Sequence, residues 1–237
     1  MKISCDFSAD IPFLTTTALF RGCTAEDIQE IAAYLDFQTL IFQKGTRIIE
    51  EGNTVTQIGL VLSGSVQIGH YDFWGNQTIL SIIPRGGVFA EAYACIPGER
   101  LMIHVIANEA CKILFIHVSR LFIPCTACNA LPKLMQNLVI ISAQKNLQLS
   151  RRSLHTSPKT IRERLLSYFS QLIAEQGSRH LVLPFNRQQL ADYLNLDRSA
   201  LSKELSKMKR DGLLDYHKNT VSICPHLSPE LGHPYAP

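Results

Sequence analysis

Between Arg187 and Ser206, basic, amide and hydroxyl side chains recur at intervals that a helix presents on one face. Asp197 is a natural N-cap for a helix starting at Arg198. Ser199, Ser202 and Lys203 then follow Arg198 by one, four and five residues and share its outward face. The chemistry open to such a face is recognition of a base edge or a phosphate. Arg198 and Lys203 are long enough to reach guanine O6 and N7 in a major groove. A second group of chemically capable side chains is sulfur-bearing. Cys125-x-x-Cys128 has the spacing of a redox pair or half a metal site, with Cys95 or Cys111 as further ligands.

The elements that would hold the basic face are legible around it. Leu190, Leu194, Leu196, Leu201 and Leu205 make a buried side for two helices, and Ala191 is small where the helices must approach. Asn195 sits at the turn position that favours positive φ. These are the requirements of a helix-turn-helix. After it, 212–217, a Lys218-Asn219 turn and 220–224 are predicted to form a two-stranded wing.

Upstream, Thr24 is a predicted N-cap for a short helix carrying Ile28, Ile31, Ala32 and Leu35 at helical spacing. From Phe37 to about Ile116, short β-branched and aromatic runs alternate with glycine turns, which predicts an antiparallel roll suited to enclosing a ligand. Past Asn129 the period returns to helical. Leu131, Leu134, Leu138 and Ile141 form a heptad-like seam through which two copies of the helix are expected to pair, the alternative being one amphipathic helix packed on its own domain. Ser150 to Pro158 is polar and reads as a hinge, followed by a helix from Ile161 that ends at Gly177, and a brief strand at Leu181 to Leu183. The expected fold is α+β, with domains at 1–130 (jelly-roll-like β-roll sensor), 131–155 (long dimerisation helix and hinge) and 156–237 (winged helix-turn-helix).

The 237 residues, 46% hydrophobic and 18% charged, match neither disorder nor a membrane protein. The longest apolar runs fall far short of the roughly 20 residues needed to cross a bilayer. Asp6 and Asp10 interrupt the apolar segment an export signal needs, so a cytoplasmic protein is expected. The net charge of +3 is unevenly spread. Residues 1–150 carry ten basic against twelve acidic side chains, a net of −2, and residues 151–237 carry thirteen against eight, a net of +5. The sequence contains no G-x-S-x-G, P-loop, H-E-x-x-H or Rossmann pattern, so no enzyme is expected. The rival to a DNA-binding protein is a cyclic-nucleotide-binding regulatory module acting on a protein partner.

Phe185-Asn-Arg-Gln-Gln-Leu-Ala-Asp-Tyr-Leu194, Asp211-Gly-Leu-Leu214 and Ile58-Gly-Leu-Val-Leu-Ser-Gly-Ser-Val66 carry a resemblance that extends over most of the chain. The protein resembles the CRP/FNR-type bacterial transcription regulators. The resemblance implies a homodimer on palindromic double-stranded DNA, contact with RNA polymerase, and a small-molecule effector held between roll and long helix. It places Arg198, Ser199, Ala200, Ser202 and Lys203 at recognition positions, with Arg187, Gln188 and Asp197 at backbone-contact positions. Ser199 stands where many members have a glutamate, so the operator is expected to differ.

The resemblance also points to an effector pocket at Glu91, Ala92, Arg100, Leu101 and Met102. Cyclic-AMP-responsive members use Gly-Glu followed ten residues later by Arg-Ser; here the pairs are Ala90-Glu91 and Leu101-Met102. A cyclic phosphate is therefore expected to lack its cation, unless a loop shift brings Arg100 in. An apolar or aromatic effector, or none, fits better, and the cofactor is left open. An iron–sulfur cluster of the oxygen-responsive type lacks its N-terminal cysteine group, since only Cys5 and Cys23 are there. His70, His104 and His117 are read as ordinary strand residues before haem ligands.

Overall fold

The computed structural model of the chain describes residues 3–5, 7–75, 77–123 and 128–224. They fall into two compact units, 1–144 and 145–237.

The first unit opens with β1 (Ile3–Cys5), a 3-10 turn at Ser8–Asp10, α1 (Ile11–Leu14) and α2 (Ala25–Leu35). Thr24 caps α2 in a reciprocal capping box with Asp27, as its position before the first apolar repeat predicts. The roll follows as β2 (Gln38–Phe42), β3 (Arg47–Ile49), β4 (Gln57–Ser63), β5 (Val66–Tyr71), β6 (Gln77–Ile83), β7 (Val88–Phe89), a helical turn α3 (Glu91–Ala94), β8 (His104–Ala107) and β9 (Cys111–His117). Its strands form two antiparallel sheets, ordered β1-β2-β9-β4-β7 and β3-β8-β5-β6.

The two-residue period of a strand divides the side chains of β9 between two cores. Ile113 and Phe115 point between the sheets, where they join Phe42, Val61, Phe89, Leu101 and Val105. Leu114 and Ile116 point the other way and join Ile28, Ile31 and Leu35 of α2. Gly59 of β4 is required by this packing, because a Cβ there would lie 2.1 Å from the Phe89 ring. Elements β1, β3, β7, α1 and α3 were not foreseen from the pattern. Each spans four residues or fewer, too short to display a period.

The long helix α4 (Leu131–Thr156) departs from expectation in two ways. It continues through Ser150 to Thr156, so the polar stretch read as a hinge is mostly its last turns. More consequentially, Leu131, Leu134, Leu138 and Ile141 are buried in the first unit's own core against α2 and the β4–β9 face of the roll. The side chains expected to pair two copies already have an intramolecular partner. Asn137, also buried on this side, donates to the carbonyls of Leu19 (3.0 Å) and Arg21 (2.9 Å) and ties the N-terminal segment down. The side of α4 left exposed carries Ile140, Leu147 and Leu154 at seven-residue intervals, with the small Ala143 and Ser150 between them and Val139 alongside. That is a second three-four stripe on the same helix.

The second unit contains α5 (Ile161–Gln176), β10 (His180–Val182), α6 (Arg187–Tyr193), α7 (Arg198–Arg210), β11 (Leu214–His217) and β12 (Thr220–Ile223). Thr160 and Glu163 form a capping box at the start of α5, and Gly177 ends it at φ 60°, left-handed as a helix C-cap requires. Leu165 and Phe169 of α5, Leu190 and Ala191 of α6, and Leu201, Leu205 and Met208 of α7 share one core with Val221. The sheet, ordered β10-β12-β11, is the wing. No described helix is long and apolar enough to cross a membrane.

Candidate nucleic-acid interface

The site is built on two helix starts. Asn186 caps α6 by accepting from Gln189 N (2.9 Å), and the Gln189 side chain returns the bond to Asn186 N (2.9 Å). Asp197 caps α7 by accepting from Ala200 N at 2.9 Å. Between them Asn195 takes φ 52°, the left-handed turn its type tolerates. The main-chain groups at the end of α6 are satisfied by two arginines from distant positions. Arg152 donates to the carbonyls of Asp192 (2.8 Å) and Tyr193 (3.0 Å) and to Asn195 Oδ1 (3.0 Å). Arg164 Nη1 donates to the carbonyls of Leu194 and Asn195, both at 3.1 Å. These charge-assisted bonds hold the turn and so fix the angle between α6 and α7. Sequence reading missed both residues, which lie 30 or more positions away with no local signal.

Buried Leu201, Leu205 and Met208 set the rotation of α7, so Arg198, Ser199, Ser202, Lys203 and Ser206 all face solvent. Ala200, read as a recognition residue, lies at the margin of this face and is half-buried. Among the described residues neither Arg198 nor Lys203 is held in an ion pair. Elsewhere in the unit Arg162 binds Glu204 and Asp211 at 2.6 Å each, and Lys209 pairs with Asp215.

An open groove of about 490 Å³ runs beside that face, lined by Asn186, Arg187, Gln188 and Arg198 from the helix starts and by Tyr216, Lys218 and Asn219 from the wing. The Arg187 guanidinium lies 4.7 Å from the centre of the Tyr216 ring. Desolvation there lowers its pKa from the usual arginine value, but it stays charged. Arg187 thus links α6 to the wing, and Gln188 is exposed beside it with its amide donated to Asp192 Oδ1 at 2.9 Å. Tyr216, Lys218 and Asn219 were not singled out as site residues from the sequence; the wing was, but which of its side chains face the helices depends on strand register.

The residues expected to form an effector pocket are divided by the structure. Glu91 is buried at the start of α3, and Leu101 is buried between the sheets, its N–H donated to Asn53 O and its carbonyl accepting from Gly52 N. Ala92, Arg100 and Met102 face solvent, Met102 with 66% of its surface exposed. Ala90 takes φ 63°, a conformation that a glycine, as in the Gly-Glu pair, adopts without the cost of roughly 1 to 2 kcal/mol borne by an L-residue.

The cysteines read as redox or metal candidates do not converge. Cys95 and Cys128 pack at the helix side of the roll, whereas Cys111 lies between the sheets. Burial raises the Cys95 thiol pKa and pushes that of Cys111 up to about 11, which disfavours the reactive thiolate. No group of three or more histidine, cysteine or acidic side chains among the described residues could hold a metal. Cys125 lies outside the described residues. His117 meets Gln57 (2.7 Å), His70 meets Glu51 (2.8 Å), and His104 stacks on Tyr71, so each histidine has a partner within the roll.

Comparison with known proteins follows this division. The family model for the cyclic nucleotide-binding domain matches residues 39–122, and that for the Crp-like helix-turn-helix domain matches residues 163–225. A 104-residue stretch, 44% of this chain, is 31% identical to potassium channel KOR1 of Oryza sativa subsp. japonica but spans only 12% of that channel. Among solved structures, CprK complexed with OCPA is similar with a TM-score of 0.58 at 17% identity, covering 78% of this chain and 86% of that one. The c-di-GMP-responsive global regulator CLP of Xanthomonas campestris is similar with a TM-score of 0.53 at 19% identity, over 84% and 99%. At such identities the likeness concerns the fold. Because the models for a cyclic nucleotide-binding domain and a Crp-like helix-turn-helix domain match in that order and together cover 147 of the 237 residues (84 and 63), the protein belongs to the CRP/FNR family of signal-responsive, DNA-binding transcription regulators.

Proposed function

We propose that the protein binds a palindromic double-stranded DNA site as a cytoplasmic homodimer, is not an enzyme, and acts on RNA polymerase in response to a signal received by the roll. The observation that carries the DNA contact is the outward face of α7, where Arg198 and Lys203 stand exposed, in no ion pair among the described residues, beside the groove at Arg187, Gln188 and Lys218. Arg198 and Lys203 read or grip the major groove with Ser199 and Ser202, while Arg187, Gln188 and the cap at Asp197 set the register on the backbone. In the dimer the copies meet along Ile140, Leu147 and Leu154 of α4.

Selection from random duplexes is expected to return a two-fold symmetric site with half-site centres roughly 34 Å apart, one helical turn. Arg198→Ala is expected to cost about 1 to 3 kcal/mol of binding and to relax one base position per half-site. Asymmetric or unenriched sequences would count against the proposal. The likeness to a potassium channel favours a second reading, in which the roll regulates a protein partner. A shift assay on random duplex at low salt separates the two, since only the first predicts retardation.

The effector we propose is not cyclic AMP. Leu101 and Met102 stand where a cation and a hydroxyl would meet the phosphate, and Leu101 is buried among apolar neighbours. A phosphate charge brought there without a partner is desolvated at a cost that apolar contacts with a purine do not offset. Calorimetry is expected to detect no cyclic-AMP binding, and operator affinity should not change when the nucleotide is added. Micromolar binding abolished by Arg100→Ala would show that the loop moves and supplies the cation after all.

A further inference from the structure

The hydroxyl groups on the outward face of α7 have already committed their protons within the protein. Ser199 Oγ lies 2.5 Å from Asp197 Oδ1. The same carboxylate oxygen accepts from Ala200 N at 2.9 Å. The Ser199 hydroxyl, followed by the Ala200 N–H, holds the Asp197 carboxyl below its ordinary pKa, so it is ionised at neutral pH and can only accept. The proton between the two oxygens is therefore donated by Ser199. One turn on, Ser202 Oγ donates to Arg198 O, and Ser206 Oγ donates to Ser202 O, each at 2.9 Å.

A serine hydroxyl has one proton and two lone pairs. With the proton turned toward Asp197, what Ser199 offers outward is lone pairs alone. Turning the proton outward instead would strip a bond from a carboxylate just as the polyanionic backbone of DNA approaches, when an uncompensated negative charge is most costly. In the major groove the base-edge donors are adenine N6 and cytosine N4, whereas guanine O6 and N7 and thymine O4 only accept.

Taking α7 as the recognition helix, as proposed above, we infer that Ser199 is a specificity-determining residue that acts as an acceptor, selecting adenine or cytosine and rejecting guanine and thymine at one position of each half-site. Asp197 is its positioning residue. The face then has a polarity order along its length, with donors at Arg198 and Lys203 and an acceptor at Ser199. The glutamate often found at this position in the family also accepts, so the exchange to serine shortens the reach of the side chain while keeping its hydrogen-bonding sense.

The test compares sites selected from random duplexes by the wild type and by Ser199→Ala. One position per half-site is expected to be adenine or cytosine with the wild type and to lose that preference with Ser199→Ala, the other positions being unchanged. The amine at that position is then deleted from synthetic duplexes, with purine replacing adenine or 2-pyrimidinone replacing cytosine. Anisotropy titration should show about a fivefold loss of affinity for the wild type, the worth of one hydrogen bond of roughly 1 kcal/mol, and no further loss for Ser199→Ala. Circular dichroism melting of both proteins checks that the helix is intact. A guanine or thymine preference at the Ser199-dependent position, no Ser199-dependent position at all, or an amine deletion without effect on the wild type would each overturn the inference while leaving DNA binding standing. Failure to select any symmetric site would instead remove the underlying reading of α7.

Discussion

Leu147→Asp is expected to turn a dimer into a folded monomer and to lower operator affinity by roughly 10² to 10⁴-fold, the loss that follows when two linked half-site contacts become separate binding events. Leu147 is 53% exposed within its own chain, so the aspartate meets water and folding is little affected. In the dimer the same carboxylate would stand against the partner's copy of the Ile140, Leu147 and Leu154 stripe, apolar and without a counter-charge. Burying an unpaired charge there costs several kcal/mol, more than an interface built from one helix per copy can tolerate. Sedimentation velocity reads the oligomeric state, and anisotropy on a symmetric duplex reads the affinity. A dimer that survives the substitution would move the interface away from this stripe.

The second large effect is expected at the residue one might have chosen for the same purpose. Leu138→Asp should fail as an interface test because it should fail to fold. Leu138 is packed in the core formed by α2, α4 and the β4–β9 face of the roll. Truncating a buried leucine costs about 2 to 5 kcal/mol, and introducing a polar group that finds no partner adds to it. That sum takes most or all of the roughly 5 to 15 kcal/mol that ordinarily holds a domain together. Urea titration followed by the near-ultraviolet signal, to which Tyr34, Tyr71, Tyr93 and Trp74 contribute from the first unit, should show loss of that unit's cooperative transition, while Leu147→Asp retains it. A Leu138→Asp protein that melts like the wild type but is monomeric would reverse the assignment of the two faces.

The two faces of α4 explain why the sequence points to Leu131, Leu134, Leu138 and Ile141. Leu131, Leu134, Leu138 and Ile141 recur at three and four, but so do Ile140, Ala143, Leu147, Ser150 and Leu154. Period identifies residues that share a side of a helix and contains nothing about what covers that side. The run of large aliphatic residues drew the first stripe into view, whereas alternation with small Ala143 and Ser150 muted the second. Only packing shows which of them is covered within the chain, because the roll folds back and occupies the face that is apolar throughout.

The sequence by itself determined the architecture and the helix-turn-helix face proposed to read DNA. Local chemistry was sufficient for both. Capping residues at Thr24 and Asp197 fix helix starts. Asn195 fixes the turn between the two helices, and the unbroken apolar runs of β4 and β9 supply a core on each side of their sheet. Tertiary structure alone decided the features that join residues far apart in the chain: the clasp of the helix-turn-helix by Arg152 and Arg164, the stacking of Arg187 on the wing's Tyr216, the division of the supposed effector residues between core and solvent, and the separation of Cys95 and Cys128 from Cys111. The physical reason is range. Helix periods, caps and turns are set by interactions across a few residues and are written in neighbouring side chains, but burial and hydrogen-bond partnership depend on which surfaces meet, and a surface does not record its partner in its own sequence.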